Sequence, residues 1–156
     1  MSKNHRVAVC LWYNNQAEEA AKFYTSLIPN SEVTSVTGMM VTFTLDGVPF
    51  QALNGGPAFK HSEAASIAVT TEDQIETDRL WNELVTNGGS ESRCGWLKDR
   101  FGVSWQIVPT VLAEFLGSED RDAAQRALDA MLRMTKIEID LLESAFRHQG
   151  KVADGA

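Results

Sequence analysis

The strongest potential metal ligands and nucleophiles in this chain are three histidines, His5, His61 and His148, and two cysteines, Cys10 and Cys94. Their spacing argues against both roles. No HxxH, HExxH, CxxC or Cys/His pair stands at ligand spacing, and no G-x-S-x-G elbow presents a serine nucleophile. Cys94 neighbours Arg93, which could lower its pKa, but a small buried side chain is the simpler role. Asn54-Gly55-Gly56 does not form a G-x-G-x-x-G turn opening a helix, which disfavours a dinucleotide or Rossmann-type methyl-donor site.

What remains is a polar and aromatic set. Gly47-Val-Pro-Phe-Gln51 and Gly102-Val-Ser-Trp-Gln106 share the pattern Gly-Val-x-aromatic-Gln. Strand alternation sets Gln51 on one face with Pro49 and Leu53, and Gln106 on one face with Ser104 and Val108. A half-buried amide needs hydrogen-bond partners. Either the two glutamines point into a shared cavity and bind a ligand, or each stitches neighbouring backbone. Trp12, Trp96 and Trp105 could wall an apolar pocket or fill the core, the commoner use of tryptophan. Lys98-Asp99-Arg100 reads as a solvated turn.

The elements that must position these residues form a repeat. Val7 to Tyr13 is β-branched and aromatic, and it ends at the turn pair Asn14-Asn15. Ala17, Ala20, Ala21, Tyr24, Leu27 and Ile28 then recur at helical spacing up to Pro29-Asn30. Strand runs follow at 32–37, 40–45 and 48–53, with Asp46-Gly47 as a hairpin turn. After Asn54-Gly-Gly-Pro57 the order returns, with a strand from Ser66 to Thr70 and a helix burying Leu80, Trp81, Leu84 and Val85. A duplicated βαβββ unit is the simplest account. Beyond Pro109 the chain turns Ala- and Leu-rich and charged. Ser118 is the expected N-cap there, followed by a seam of Leu128, Leu132, Thr135, Ile139, Leu142 and Phe146. The seam is one helix or two, with a break favoured between Thr135 and Ile139.

Composition bounds the function. A chain of 156 residues with 44% hydrophobic content makes one domain or two small halves. With 14 Lys+Arg against 21 Asp+Glu the net charge is −7, the wrong sign for a nucleic-acid partner. No apolar run is long enough to span a bilayer, and Val7 to Trp12 is too short for a signal peptide. Two scattered cysteines suit a reducing cytoplasm. The expectation is a soluble, unprocessed protein with neither nucleic acid nor membrane as partner.

Four stretches carry a resemblance to a known family: Ala17-Glu-Glu-Ala-Ala-Lys-Phe-Tyr24, Leu53-Asn-Gly-Gly-Pro57, the run from Cys94 to Pro109, and Ala130-Met-Leu-Arg-Met-Thr-Lys136. Together they resemble the PhnB-like, 3-demethylubiquinone-9 3-methyltransferase-like branch of the vicinal oxygen chelate superfamily, from Val7 to Phe146. The resemblance implies an α+β fold: paired βαβββ modules forming a curved mixed sheet of the glyoxalase/bleomycin resistance/dioxygenase type, plus a C-terminal helical tail. The domain would span 6–110, with modules 6–56 and 64–110, and the tail 111–148, a candidate homodimer contact.

In metal-using members the ligands come from the first and last strands of the modules, and these positions correspond here to Val9, Ser66, Gln51 and Gln106. Val9 has no donor atom, and a hydroxyl with two neutral amides binds divalent ions weakly. The expectation is therefore a metal-free cavity without a cofactor, enclosing a small, partly apolar molecule, with Gln51, Ser66, Gln106, Trp12, Trp96 and Trp105 as candidate contacts. No catalytic residue is assigned, and enzyme status stays open. The methyl transfer in the family's name is not carried over, because no residue supplies a methyl-donor site. The rival reading, a metal-dependent isomerase, lyase or dioxygenase, needs His5, His61 or Asp99 to converge from outside those positions. A scaffold with a collapsed cavity is a third.

Overall fold

The computed structural model describes residues 4–148. Two compact units divide the chain, the first ending at Ser62 and the second beginning at Glu63. The first runs β1 (Val9–Tyr13), α1 (Ala17–Leu27), β2 (Glu32–Val36), β3 (Met40–Leu45) and β4 (Val48–Asn54). The second runs β5 (Ser66–Thr71), α2 (Gln74–Val85), β6 (Ser90–Glu91), β7 (Trp96–Lys98) and β8 (Ser104–Pro109), then α3 (Thr110–Leu116), α4 (Arg121–Leu132) and α5 (Ile139–Arg147). The sheets have the same order, β1-β4-β3-β2 and β5-β8-β7-β6. In each, the first strand runs parallel to the last and the other pairs are antiparallel. The repeat expected from Gly-Val-x-aromatic-Gln is thus a repeat of topology.

In the first unit α1 buries Ala17, Ala20, Ala21, Tyr24 and Leu27, while Leu11, Tyr13, Val41, Phe43 and Phe50 are buried in the sheet. Alternation puts these sheet residues on one face and leaves Cys10, Trp12, Thr42, Gln51 and Leu53 on the other. Helix α1 lacks a cap from its own N-cap residue, Gln16. Instead the Ala17 amide donates to Oδ1 of Asn54, 2.9 Å away at the end of β4, so the strand that carries Gln51 also closes the helix start. The Asp46-Gly47 turn has φ of 46° and 77°, the left-handed pair that matches strand twist in a two-residue hairpin.

The second unit buries Leu80, Trp81 and Leu84 of α2 and Leu97, Trp105 and Ile107 of the sheet, each contributing about 1.5–3 kcal/mol of hydrophobic stabilisation. Asp73 caps α2, its side chain accepting from the Glu76 amide. The tail is helical as expected and differs in its cap. It forms three helices, and α4 is capped by Asp120, which accepts from the Ala123 amide, while Ser118 lies two residues before that cap. The interruption falls between Leu132 and Ile139, bracketing the expected break.

This interruption is stitched into the second unit. Cys94 and Gly95 donate backbone hydrogen bonds to the carbonyls of Met134 and Thr135, both at 2.8 Å. Gln74 donates to the Ile137 carbonyl at 3.1 Å and accepts from the Ile139 amide at 2.7 Å. Leu112, Met134, Ile137 and Leu142 form a small core of their own, against which Val108 packs. No helix among the described residues is long and apolar enough to cross a membrane.

Candidate functional site

In both units the sheet face opposite the helix carries the polar set, and strand register fixes what lies beside what. In the first unit Gln51 of β4 is opposite Cys10 of β1 and Thr42 of β3. A register shift between Val33 and Ser35 on edge strand β2 lets two consecutive hydroxyls reach one partner. Thr34 Oγ1 and Ser35 Oγ lie 2.7 and 2.6 Å from Thr42 Oγ1, a use of the extra residue that a β-bulge supplies. Gln51, Thr34, Thr42, Thr44 and Pro49 line a cleft of about 770 Å³. Trp12 shares this face. Its indole N–H donates to the Gly56 carbonyl at 2.8 Å, and Phe59 meets its ring edge-on at 4.9 Å. A Cβ at Gly55 would stand 2.2 Å from the Trp12 ring, so glycine there is what lets the loop close over the indole.

In the second unit the register forms two rows. Ser66, Ser104 and Lys98 lie side by side across β5, β8 and β7, and Ala68, Gln106 and Trp96 form the next row. Gln106 Nε2 donates to Ser66 Oγ at 2.8 Å. Lys98 pairs with Glu63 at 2.5 Å, and that hydrogen bond holds the Glu63 carboxyl below its ordinary range. Ser104 is 1% exposed, and its hydroxyl has no hydrogen-bond partner among the described residues. Ser104, Lys98, Glu63, Trp96 and Arg93 line a cleft of about 490 Å³.

The expected site residues therefore separate. Ser66 and Gln106 meet directly, Trp96 stands beside Gln106, and Gln51 and Trp12 occupy the uncovered face of the first sheet. Trp105 is on the opposite, covered face. It is fully buried and its indole N–H donates to Asp99 Oδ2 at 2.9 Å, so it fills the core. Asp99 corrects the reading of its segment as a solvated turn: it is 2% exposed and also accepts from the Phe101 and Val103 amides at 2.9 and 3.1 Å. The correspondence of Val9 with Ser66 is also off by one. Register puts Cys10 opposite Gln51 and Ala68 opposite Gln106, while Val9 points to the covered side. Ser104 escaped the sequence reading as a site residue, although it was placed on the face of Gln106.

These residues do not fit the divalent ion used elsewhere in the superfamily. Gln106 and Ser66 are bonded to each other, Gln51 has a thiol and a hydroxyl for register neighbours, and neutral donors of this kind grip hard cations poorly. His61 Nε2 lies 2.6 Å from the Trp12 carbonyl oxygen, and Asp99 is committed to its three donors. Among the described residues no three His, Cys, Asp or Glu side chains converge.

Comparison with known proteins agrees with this architecture. The family model for 3-demethylubiquinone-9 3-methyltransferase matches residues 5–108. Among solved structures, the PhnB protein from Bacillus cereus aligns at 30% identity and a TM-score of 0.63, over 68% of this chain and 100% of its own. A protein from Pseudomonas aeruginosa aligns at 21% identity and a TM-score of 0.55, over 68% of this chain and 98% of its own. A glyoxalase/bleomycin resistance protein from Albidiferax ferrireducens aligns at 15% identity and a TM-score of 0.50, over 65% and 95%. The last two likenesses concern the fold alone. No curated protein sequence matches the chain significantly.

Proposed function

This chain belongs to the PhnB-like, 3-demethylubiquinone-9 3-methyltransferase family with the glyoxalase/bleomycin resistance fold, and from that premise we propose that it binds a small, partly apolar molecule without a metal. The observation that carries this reading is the Gln106–Ser66 hydrogen bond at 2.8 Å, between positions that the resemblance matches to the metal-ligand positions of the superfamily. It lies on the sheet face opposite the one that buries Trp105, next to Trp96 in register. A neutral amide and hydroxyl in apolar company suit oriented hydrogen bonding to an organic ligand better than Lewis-acid chemistry. Gln51 and its hydroxyl neighbours give the first sheet an analogous surface. A homodimer, implied by the resemblance, belongs to the same reading and is checked by light scattering.

A thermal-shift screen of small organic molecules tests the proposal, because a ligand that binds only the folded state raises its melting temperature by mass action. Hits are expected to lose their effect in Gln106→Leu. Elemental analysis of protein purified without a metal-chelating column is the second arm. One stoichiometric divalent ion per subunit that supports activity would overturn the metal-free reading.

A further inference from the structure

We infer that the cleft on the second unit is a carboxylate site, in which an organic acid with a flat apolar body displaces Glu63 from Lys98 and takes the hydrogen bond that Ser104 has no protein partner for. The inference rests on the small-molecule reading above and names the chemistry of its ligand.

The buried Ser104 hydroxyl is the starting point. A polar group shut away from water without a partner destabilises a fold, and each such group calls for an explanation. Ser104 sits on the floor of the cleft, in register with Lys98 on one side and Ser66 on the other. Its hydroxyl can donate to an oxyanion standing where the Lys98 ammonium also reaches.

Charge and shape select among the ligands such a donor could serve. Lys98 and Arg93 are the cations of the cleft and Glu63 and Glu91 its acids. Glu91 accepts the Trp81 indole N–H at 2.7 Å and is committed to it. Glu63 sits at the surface, its side chain 65% exposed, as a carboxylate already on the Lys98 ammonium. An exposed ion pair of this sort is held weakly, so Glu63 acts as an exchangeable stand-in for an incoming carboxylate. Trp96 supplies an aromatic wall next to the charged row, and the cleft volume of about 490 Å³ falls within the usual range for small-molecule sites.

The test uses benzoate and its neutral isostere benzamide as probes, with the full-length protein and its variants followed by thermal shift and calorimetry. Benzoate is expected to bind saturably and benzamide far more weakly. Ser104→Ala should bind benzoate about tenfold more weakly, the usual effect of losing a hydrogen bond to a charged group. It should be at least as stable as the parent, since it removes an unpaired buried hydroxyl. Lys98→Met should abolish benzoate binding, and Glu63→Gln should tighten it several-fold by removing the competing carboxylate. Unchanged benzoate affinity in Ser104→Ala, or weaker affinity in Glu63→Gln, would overturn the inference. Equal binding of benzamide would overturn the carboxylate assignment and leave the small-molecule reading standing. Binding of neither probe would also overturn it, and the small-molecule reading would then stand or fall on the broader screen.

Discussion

Replacing Asp99 by alanine should cost this protein a large part of its stability. The carboxylate is 2% exposed and accepts from three donors: the Phe101 amide, the Val103 amide and the Trp105 indole N–H. Val103 and Trp105 are themselves buried, so at least two of these donors would have neither a protein partner nor easy access to water. Each buried orphan costs about 1–3 kcal/mol, and loss of the charge-assisted bonds adds to that, for a predicted destabilisation of about 3–5 kcal/mol. Against a usual folding stability of about 5–15 kcal/mol, Asp99→Ala is close to the limit of folding. Asp99→Asn is the gentler probe. Its remaining oxygen can still take the two backbone amides, but its NH₂ then faces the indole N–H, donor against donor, at a cost of about 1–3 kcal/mol. In a Trp105→Phe background that conflict disappears, so the Asn substitution should cost less there than in the parent. Urea unfolding followed by far-ultraviolet circular dichroism measures all four corners of the cycle. A loss below about 1 kcal/mol for Asp99→Ala would refute the reasoning and restore the picture of a solvated turn.

Further outcomes follow from other parts of the molecule. Gly95 has φ of 84°, and a Cβ there would stand 2.8 Å from the Ile107 carbonyl oxygen; Gly95→Ala should lose on the order of 2 kcal/mol in urea unfolding. Gln74→Ala removes the two hydrogen bonds that hold Ile137 and Ile139, and should cost about 1–3 kcal/mol with faster hydrogen exchange concentrated in α5. Asp78, bonded to Lys136 at 2.6 Å, has its pKa lowered by that bond. Its contribution is therefore present above the ordinary aspartate value and lost as the pH falls through the lower folded one. Lys136 is shifted up by the same bond, so its contribution holds below the ordinary lysine value and fades as the pH rises through the folded one. Solvent screening keeps the pair below about 1 kcal/mol, so Asp78→Asn should narrow the stability difference between neutral and strongly acid pH by no more than that.

How far the sequence discloses these features depends on whether local pattern or tertiary context sets them. Asp46-Gly47 announces its hairpin because both turn positions need left-handed backbone, and the Ala and Tyr spacing announces α1 because one face must be buried. Gln51 and Gln106 are recognisable for the same reason, as amides set by alternation among small or apolar neighbours. Register is a pairing between distant segments, and a slip of one residue reverses the face. That is why Val9 was matched to Ser66, whose counterpart by register is Ala8. Asp99 looked like a surface residue because its partners, the Trp105 indole and the Val103 amide, converge on it only when the hairpin closes. Ser118 lost the cap to Asp120 because both residue types suit that role and only the backbone decides between them. Strands β6 and β7 have two and three residues, too few for alternation to register.

The stitching of the interhelical stretch 133–138 to the second unit bears on where the chain can be cut. A fragment ending at Pro109 would contain all that the family model matches. It would also strip the acceptors from the Cys94 and Gly95 amides and the cover from Val108, on the strand that carries Gln106. Truncation or fusion after Pro109 therefore sacrifices the half that holds Ser66 and Gln106, and any minimal version of that unit must keep its last three helices.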